Sequence, residues 1–188
     1  MRCFVAIDPS SEVRKAIAAL VERLKQAARG ADVRWVDAAV VHLTLRFLGE
    51  VEDRRIGTVV DAIRETVEHR PAFPLRATGL GAFPGLKRPR VVWVGLSDER
   101  RALFPLAADL ETRLAAIGFA REDRPFAAHV TIGRVRSSSR IARLVESIAA
   151  LDAGEIGAWS VTEIVLYRSH LGSTGSVYEA LHRFPLEA

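Results

Sequence analysis

Cysteine is almost missing from this sequence: Cys3 is the only one in 188 residues. A lone thiol excludes an internal disulfide and a cysteine-built metal cluster. Long apolar runs are missing too. The early stretch Cys3 to Ile7 is broken by Asp8 and is too short for a secretory signal. No later stretch approaches the length of a membrane span, so a cytoplasmic protein without a membrane partner is expected. Aromatic residues make up 7% of the chain, too sparse for an extended base-stacking platform. There is no His-x-His, His-Asp or His-Glu-x-x-His pattern, so no metal site is indicated. A Gly-x-Ser-x-Gly elbow and a glycine-rich phosphate loop ahead of a lysine are also lacking. Serine-hydrolase and ATP-driven chemistry thus have no support, and no cofactor is expected.

A hydrophobic share of 49% and a charged share of 27% describe an ordinary globular chain with enough length for a real core. The net charge is +4, carried by 24 arginines and only 3 lysines. That balance leans toward a polyanionic partner, although an arginine- and alanine-rich composition also follows from a G+C-rich genome.

The order of elements reads twice. Strand-like Cys3–Ile7 leads into a helix with Val13, Ile17, Leu20, Val21, Leu24 and Ala28 on one face, stopped by Gly30. Strand-like Val33–Val36 and Val41–Leu48 follow. A second helix capped by Asp53 and a strand over Phe73–Leu80 complete the first series. The second series runs through a strand at Val91–Leu96, a helix over Leu103–Ile117 whose start is blurred by Pro105, and a strand at Ala127–Val135. It ends with a helix opened by Ser138 or Ser139 and strands at Val161–Tyr167 and Val177–Phe184. The offset of about 85 to 90 residues is the mark of an internal duplication. The expected fold is α+β: one bilobal domain over residues 1–188, built from approximate repeats 1–82 and 90–184. Two lobes related by a pseudo-twofold axis, each an antiparallel sheet with helices on its outer face, would enclose a central cleft.

Within matching strands lie His42-Leu43-Thr44 and His129-Val130-Thr131. Each His and its Thr share one face of a pleat, about 6.6 Å apart along the strand. Five histidines and eight threonines predict about 0.2 such triplets by chance, so a symmetric pair is informative. Two imidazoles, each beside a hydroxyl, suit metal-free acid–base chemistry on a phosphodiester. One ring takes a proton from the attacking oxygen and the other gives one to the leaving oxygen, while Thr44 and Thr131 hold phosphoryl oxygens. Which histidine is the acid stays open at this point. Arg46 has the strand parity of His42 and Thr44. Arg134 has the wrong parity for His129 and needs a bulge or a strand end to join the site. Each is either a phosphate-binding cation or a surface arginine. The basic loop from Phe83 to Arg90 is either a rim that meets phosphates or a nucleobase, with Arg90 as its candidate, or a solvated connector. His69, His170 and His182 lack a threonine two residues on and are read as structural or surface.

These residues resemble the 2H phosphoesterase superfamily, and within it the RNA 2′,3′-cyclic phosphodiesterase branch, also called the 2′-5′ RNA ligase family. The resemblance spans nearly the whole chain: Arg2-Cys3-Phe4-Val5-Ala6-Ile7-Asp8, Trp35-Val36, the run from Val41 to Glu50, Phe83-Pro84 with Arg88 to Gly95, Arg124-Pro125-Phe126 before the second motif, and Leu166-Tyr167-Arg168-Ser169 before Gly175 and Tyr178. It implies a bilobal, LigT-like fold and hydrolysis of RNA-terminal or nucleoside 2′,3′-cyclic phosphates to 2′-phosphates without metal, in some members with reversible 2′-5′ joining of RNA ends. It also implies His42 as proton donor, His129 as proton acceptor, and a basic position matched by Arg134. The partners implied are RNA ends or cyclic nucleotides. Val130, Ile132 and Gly133 depart from the commoner pattern without touching the reacting groups. The alternative is a non-catalytic module that binds RNA ends in the same groove.

Overall fold

In the computed structural model, which describes residues 1–151, 154–171 and 176–188, nine strands and four α-helices form an α+β unit. Strand β1 (Arg2–Ile7) ends where Asp8-Pro9-Ser10 opens helix α1 (Ser11–Ala27). The Ser10 hydroxyl caps that helix by accepting from the Val13 amide at 3.3 Å. Strand β2 is short (Val33–Trp35), and β3 (Leu43–Glu50) follows a 3-10 turn at Ala38–Val40. Helix α2 (Ile56–Val67) starts later than expected: Asp53 opens a 3-10 turn, and no side chain caps the helix.

Strands β4 (Phe73–Phe83) and β5 (Val91–Ser97) make a hairpin that runs on from the first series into the second. Helix α3 (Leu103–Ala116) is capped from outside, the Asp98 carboxylate accepting from the Leu103 amide at 2.6 Å. Pro105 sits in its first turn, where the missing amide has no intrahelical partner to lose. Strand β6 (His129–Val135) precedes α4 (Ile141–Ala150). The residue ahead of α4 is Arg140 in the left-handed region, so neither Ser138 nor Ser139 caps it with a side chain. Strands β7 (Glu155–Val161), β8 (Glu163–Leu171) and β9 (Ser176–Pro185) close the chain. The expected single strand at Val161–Tyr167 is thus the junction of two.

All pairings among the named strands are antiparallel, in the order β7-β4-β5-β6-β3-β1-β8-β9, with β2 on the edge of β6 beyond β3. The order is palindromic about the β6–β3 seam: β5 mirrors β1, and β4 mirrors β8. Each half of the sheet therefore draws strands from both halves of the sequence. The hairpin explains this. A short connection makes β4 the cheapest neighbour for β5, which places the end of the first series beside the start of the second, and β8 takes the equivalent place beside β1. The helices follow suit, α1 packing on α4 and α2 on α3. One continuous core joins both halves, from Val5 and Leu43 through Val130 and Ile132 to Leu103 and Leu144. Among the described residues no helix is long and apolar enough to cross a membrane.

Candidate active site

Strands β3 and β6 meet through one registered pair, Leu43 and Val130, both fully buried against the core. Side chains alternate along a strand, so the residues on either side of that pair face the other way. Continuing the register by one residue sets His42 across from Thr131 and Thr44 across from His129. All four are half-buried. Two sequence-distant motifs thereby become one four-residue patch above an apolar seam.

Each imidazole is anchored in the same way. His42 Nδ1 lies 3.0 Å from the Val40 carbonyl, and His129 Nδ1 lies 2.7 Å from the Ala127 carbonyl. A carbonyl can only accept, so Nδ1 carries the hydrogen in both rings and Nε2 is the working nitrogen. The His42 ring stacks on Phe4 at 4.7 Å and meets the edge of Tyr178 at 5.1 Å. His129 meets Phe83 edge-on at 4.9 Å. Gly95 lies opposite His129 on β5, where a Cβ would come within 2.8 Å of the Thr78 carbonyl oxygen. The hydroxyls of Thr44 and Thr131 make no hydrogen bond within the described residues.

Burial pushes both histidines below the ordinary imidazole pKa, and the two backbone carbonyls push the other way. Their charged surroundings differ. His42 feels the Asp8 carboxylate, which favours its protonated form, against Arg14 and Arg134, which oppose it. His129 feels only Arg134. Asp8 is itself held by the Tyr167 hydroxyl at 2.6 Å and by Arg14 at 3.1 Å. Asp8, Arg14, His42, Tyr167 and Tyr178 share a pocket of about 90 Å³. A larger cavity, about 370 Å³, lies between α2 and β9 and touches none of the four patch residues.

The three arginines expected to bind substrate part company. Arg134 reaches the patch because β6 carries a bulge: Val92 pairs with Gly133 and Trp93 with Thr131, leaving Ile132 as the extra residue. The parity that put Arg134 on the wrong side is thus reversed, and it sits exposed within electrostatic range of both histidines. A matching bulge at Leu45 has the opposite result for Arg46, since Ala6 pairs with Thr44 and Val5 with Arg46. Arg46 turns into the core side at 7% exposure. There it pairs with Glu111 of α3 and with Glu122, both at 2.5 Å, and donates to the Phe47 and Ala120 carbonyls. It is a structural cation outside the patch. Arg90 precedes β5 and is exposed, and strand alternation sets it on the side of Val92, away from the histidines.

Sequence reasoning gave no role to Phe4, Asp8, Phe47 or Tyr178. Phe47 shares the face of Thr44 once the bulge is counted, lies 6.0 Å from Phe4 and is 52% exposed. Only the strand register could have placed these groups. Among the described residues, no three His, Cys, Asp or Glu side chains come together as a metal ion would require.

Comparison with known proteins follows the same lines. The family described as LigT like Phosphoesterase matches the chain twice, over residues 7–93 and 94–178. An RNA 2′,3′-cyclic phosphodiesterase from Thermotoga maritima is 35% identical over 188 residues, covering 100% of this chain and 96% of the relative. One from Escherichia coli K12 is 31% identical over 188 residues, 98% of this chain and 96% of the relative. The crystal structure of E. coli LigT in its apo form superposes with a TM-score of 0.78 at 29% identity, covering 100% of this chain and 98% of that one. The same protein complexed with 3′-AMP gives a TM-score of 0.78 at 30% identity, with 98% and 97% covered.

Proposed function

Since the chain belongs to the LigT-like phosphoesterase family, we propose that it hydrolyses 2′,3′-cyclic phosphates at RNA ends or on nucleosides, leaving a 2′-phosphate. The observation that carries this reading is the pair of Nε2 atoms presented on one face of the sheet, on either side of the Leu43–Val130 seam. A five-membered cyclic phosphate placed over the seam lies between them. His129, neutral, takes a proton from water as its oxygen bonds to phosphorus. The bond from phosphorus to the 3′ oxygen breaks, and protonated His42 gives that oxygen its proton. Thr44 and Thr131 donate hydrogen bonds to the non-bridging oxygens, and Arg134 offsets their charge. Assigning the acid to His42 is supported by Asp8, because only His42 has a carboxylate favouring its charged form.

No metal enters these steps. Replacing water by the 5′-hydroxyl of a second RNA makes the same transfers yield a 2′–5′ linkage, so joining is the counterpart of hydrolysis at high end concentrations. The exposed Phe47 ring offers a face for the terminal base.

The test is turnover of adenosine 2′,3′-cyclic phosphate in EDTA, with 2′-AMP and 3′-AMP resolved. His42→Ala and His129→Ala are each expected to lower kcat by about 10²–10⁴-fold, with 2′-AMP as the only product. Near-wild-type turnover in both variants would overturn the reading. Binding of RNA ends without turnover by the wild type would leave a binding module instead.

A further inference from the structure

The four-residue patch is the start of a longer ladder. Where β3 leaves β6, β2 takes its place on the same edge, pairing Trp35 with Gly133, Arg34 with Arg134 and Val33 with Val135. The ladder continues one step further, the Arg136 amide donating to the Asp32 carbonyl at 2.9 Å. Along one face of β6 and the residue just past its end, the rungs therefore run His129–Thr44, Thr131–His42, Arg134–Arg34 and Arg136–Asp32. Residues two apart on a strand are about 6.6 Å apart, so the last two rungs offer cations at a regular step away from the histidines.

Arg34, Arg134 and Arg136 are all exposed. Arg34 stands directly opposite Arg134 across the strand pair. The side chains of Arg134 and Arg136 make no hydrogen bond or ion pair among the described residues. Asp32 is the one carboxylate on these rungs. The hairpin tip between β4 and β5, with exposed Lys87 and Arg88, comes to the same end of the sheet, because Val91 pairs with Arg134. A row of cations leading directly out of a phosphate site matches an anion that repeats.

We infer that the Arg34–Arg134 rung and Arg136 form a track for the phosphodiesters of an RNA chain whose end lies at the histidines, so that oligonucleotide ends are bound in preference to nucleoside cyclic phosphates. The track extends the proposed reaction from a mononucleotide to a polymer, and it rests on that reading only for which end of the RNA sits over the seam.

The experiment measures binding of a fluorescently labelled five-nucleotide RNA carrying a 2′-phosphate, titrated against salt. It compares the wild type, the double variant Arg34→Ala/Arg136→Ala and, as a charge control, Arg23→Ala on the exposed side of α1. The double variant is expected to bind about tenfold more weakly, with a salt slope shallower by roughly 1.4, from about 0.7 per lost single-strand phosphate contact. Arg23→Ala is expected to stay within about twofold of the wild type. Binding by the double variant as tight as by Arg23→Ala, with an unchanged slope, overturns the track. Hydrolysis of adenosine 2′,3′-cyclic phosphate by the same wild-type preparation tests the reaction separately. RNA binding that depends on Arg34 and Arg136 without turnover sinks the reaction and leaves the track in place, while turnover with an unchanged salt slope does the reverse.

Discussion

Two imidazoles with the same backbone anchor are not electrically equal here, and that inequality sets how the protein responds to pH. Both are pushed below the ordinary value by burial, so in the free protein both lose their protons below about pH 6.5. The proposed base gains activity as pH rises through its lowered pKa, and the proposed acid loses it as pH rises through its own. The profile of kcat/KM, which reports the free protein, is therefore expected to peak on the acid side of pH 6.5. A bound phosphate favours the protonated acid, so the alkaline limb of kcat should lie higher than that of kcat/KM. Asp8→Asn separates the two rings. Asparagine keeps an oxygen for the Tyr167 hydroxyl but removes the charge that favours protonated His42, leaving Arg14 and Arg134 unopposed. Its alkaline limb in kcat/KM should move to lower pH while the acid limb, set by His129, stays in place. Equal displacement of both limbs would exclude Asp8 as a positioning residue for His42. Sequence alone offered the two histidines through their spacing, but Asp8 was only one residue of a resemblance, because its reach to His42 passes through folded space.

At the scale of elements, two bulges decide which arginines meet the patch. The extra residue is Leu45 in β3 and Ile132 in β6. Both are aliphatic residues in aliphatic strands, so nothing local distinguishes them, and strict alternation misplaces whatever follows. The alternation of β3 and β6 themselves was legible, and so was the need for a bulge if Arg134 was to take part. Strand β7 was missed because Gly157 and Ala158 dilute its pattern; Gly157 lies close under α1, where a Cβ would make a tight contact of 3.1 Å with Val13 Cγ2. The pairing of β2 with β6 joins segments about a hundred residues apart and leaves no local mark. Arg46 provides the prediction that belongs here. Arg46→Met removes the buried link from β3 to α3 and leaves the mostly buried Glu111 without its cation, so thermal unfolding is expected to show a loss of roughly 2–4 kcal/mol. KM for a cyclic nucleotide, measured well below the new Tm, should change little. A raised KM with unchanged Tm would return Arg46 to the substrate.

The whole molecule cannot be cut where its sequence repeats. Duplication was legible from the order of elements, but the interleaving of β4 with β5 and of β8 with β1 was not, since the choice of neighbour belongs to assembly rather than to any segment. A fragment of residues 1–88 keeps β1 and β3 but loses β5 and β8, and its helices lose α4 and α3. It is expected to show no cooperative thermal transition by circular dichroism, while mixing it with residues 89–188 should restore one. A stable isolated fragment would show that each series folds as a unit.

The backbone carbonyls that fix both Nδ1–H groups have a kinetic consequence. Under the proposed reaction, one hydrolysis leaves His129 charged with a proton taken from water and His42 neutral, its own proton now on the 3′ oxygen, the mirror image of the starting arrangement. Neither ring can recover by passing the charge through its own far nitrogen, because that atom is already committed to Val40 or Ala127. Resetting between turnovers must therefore go by way of Nε2 and the surrounding solvent, so the product's departure and the re-arming of the pair share one doorway.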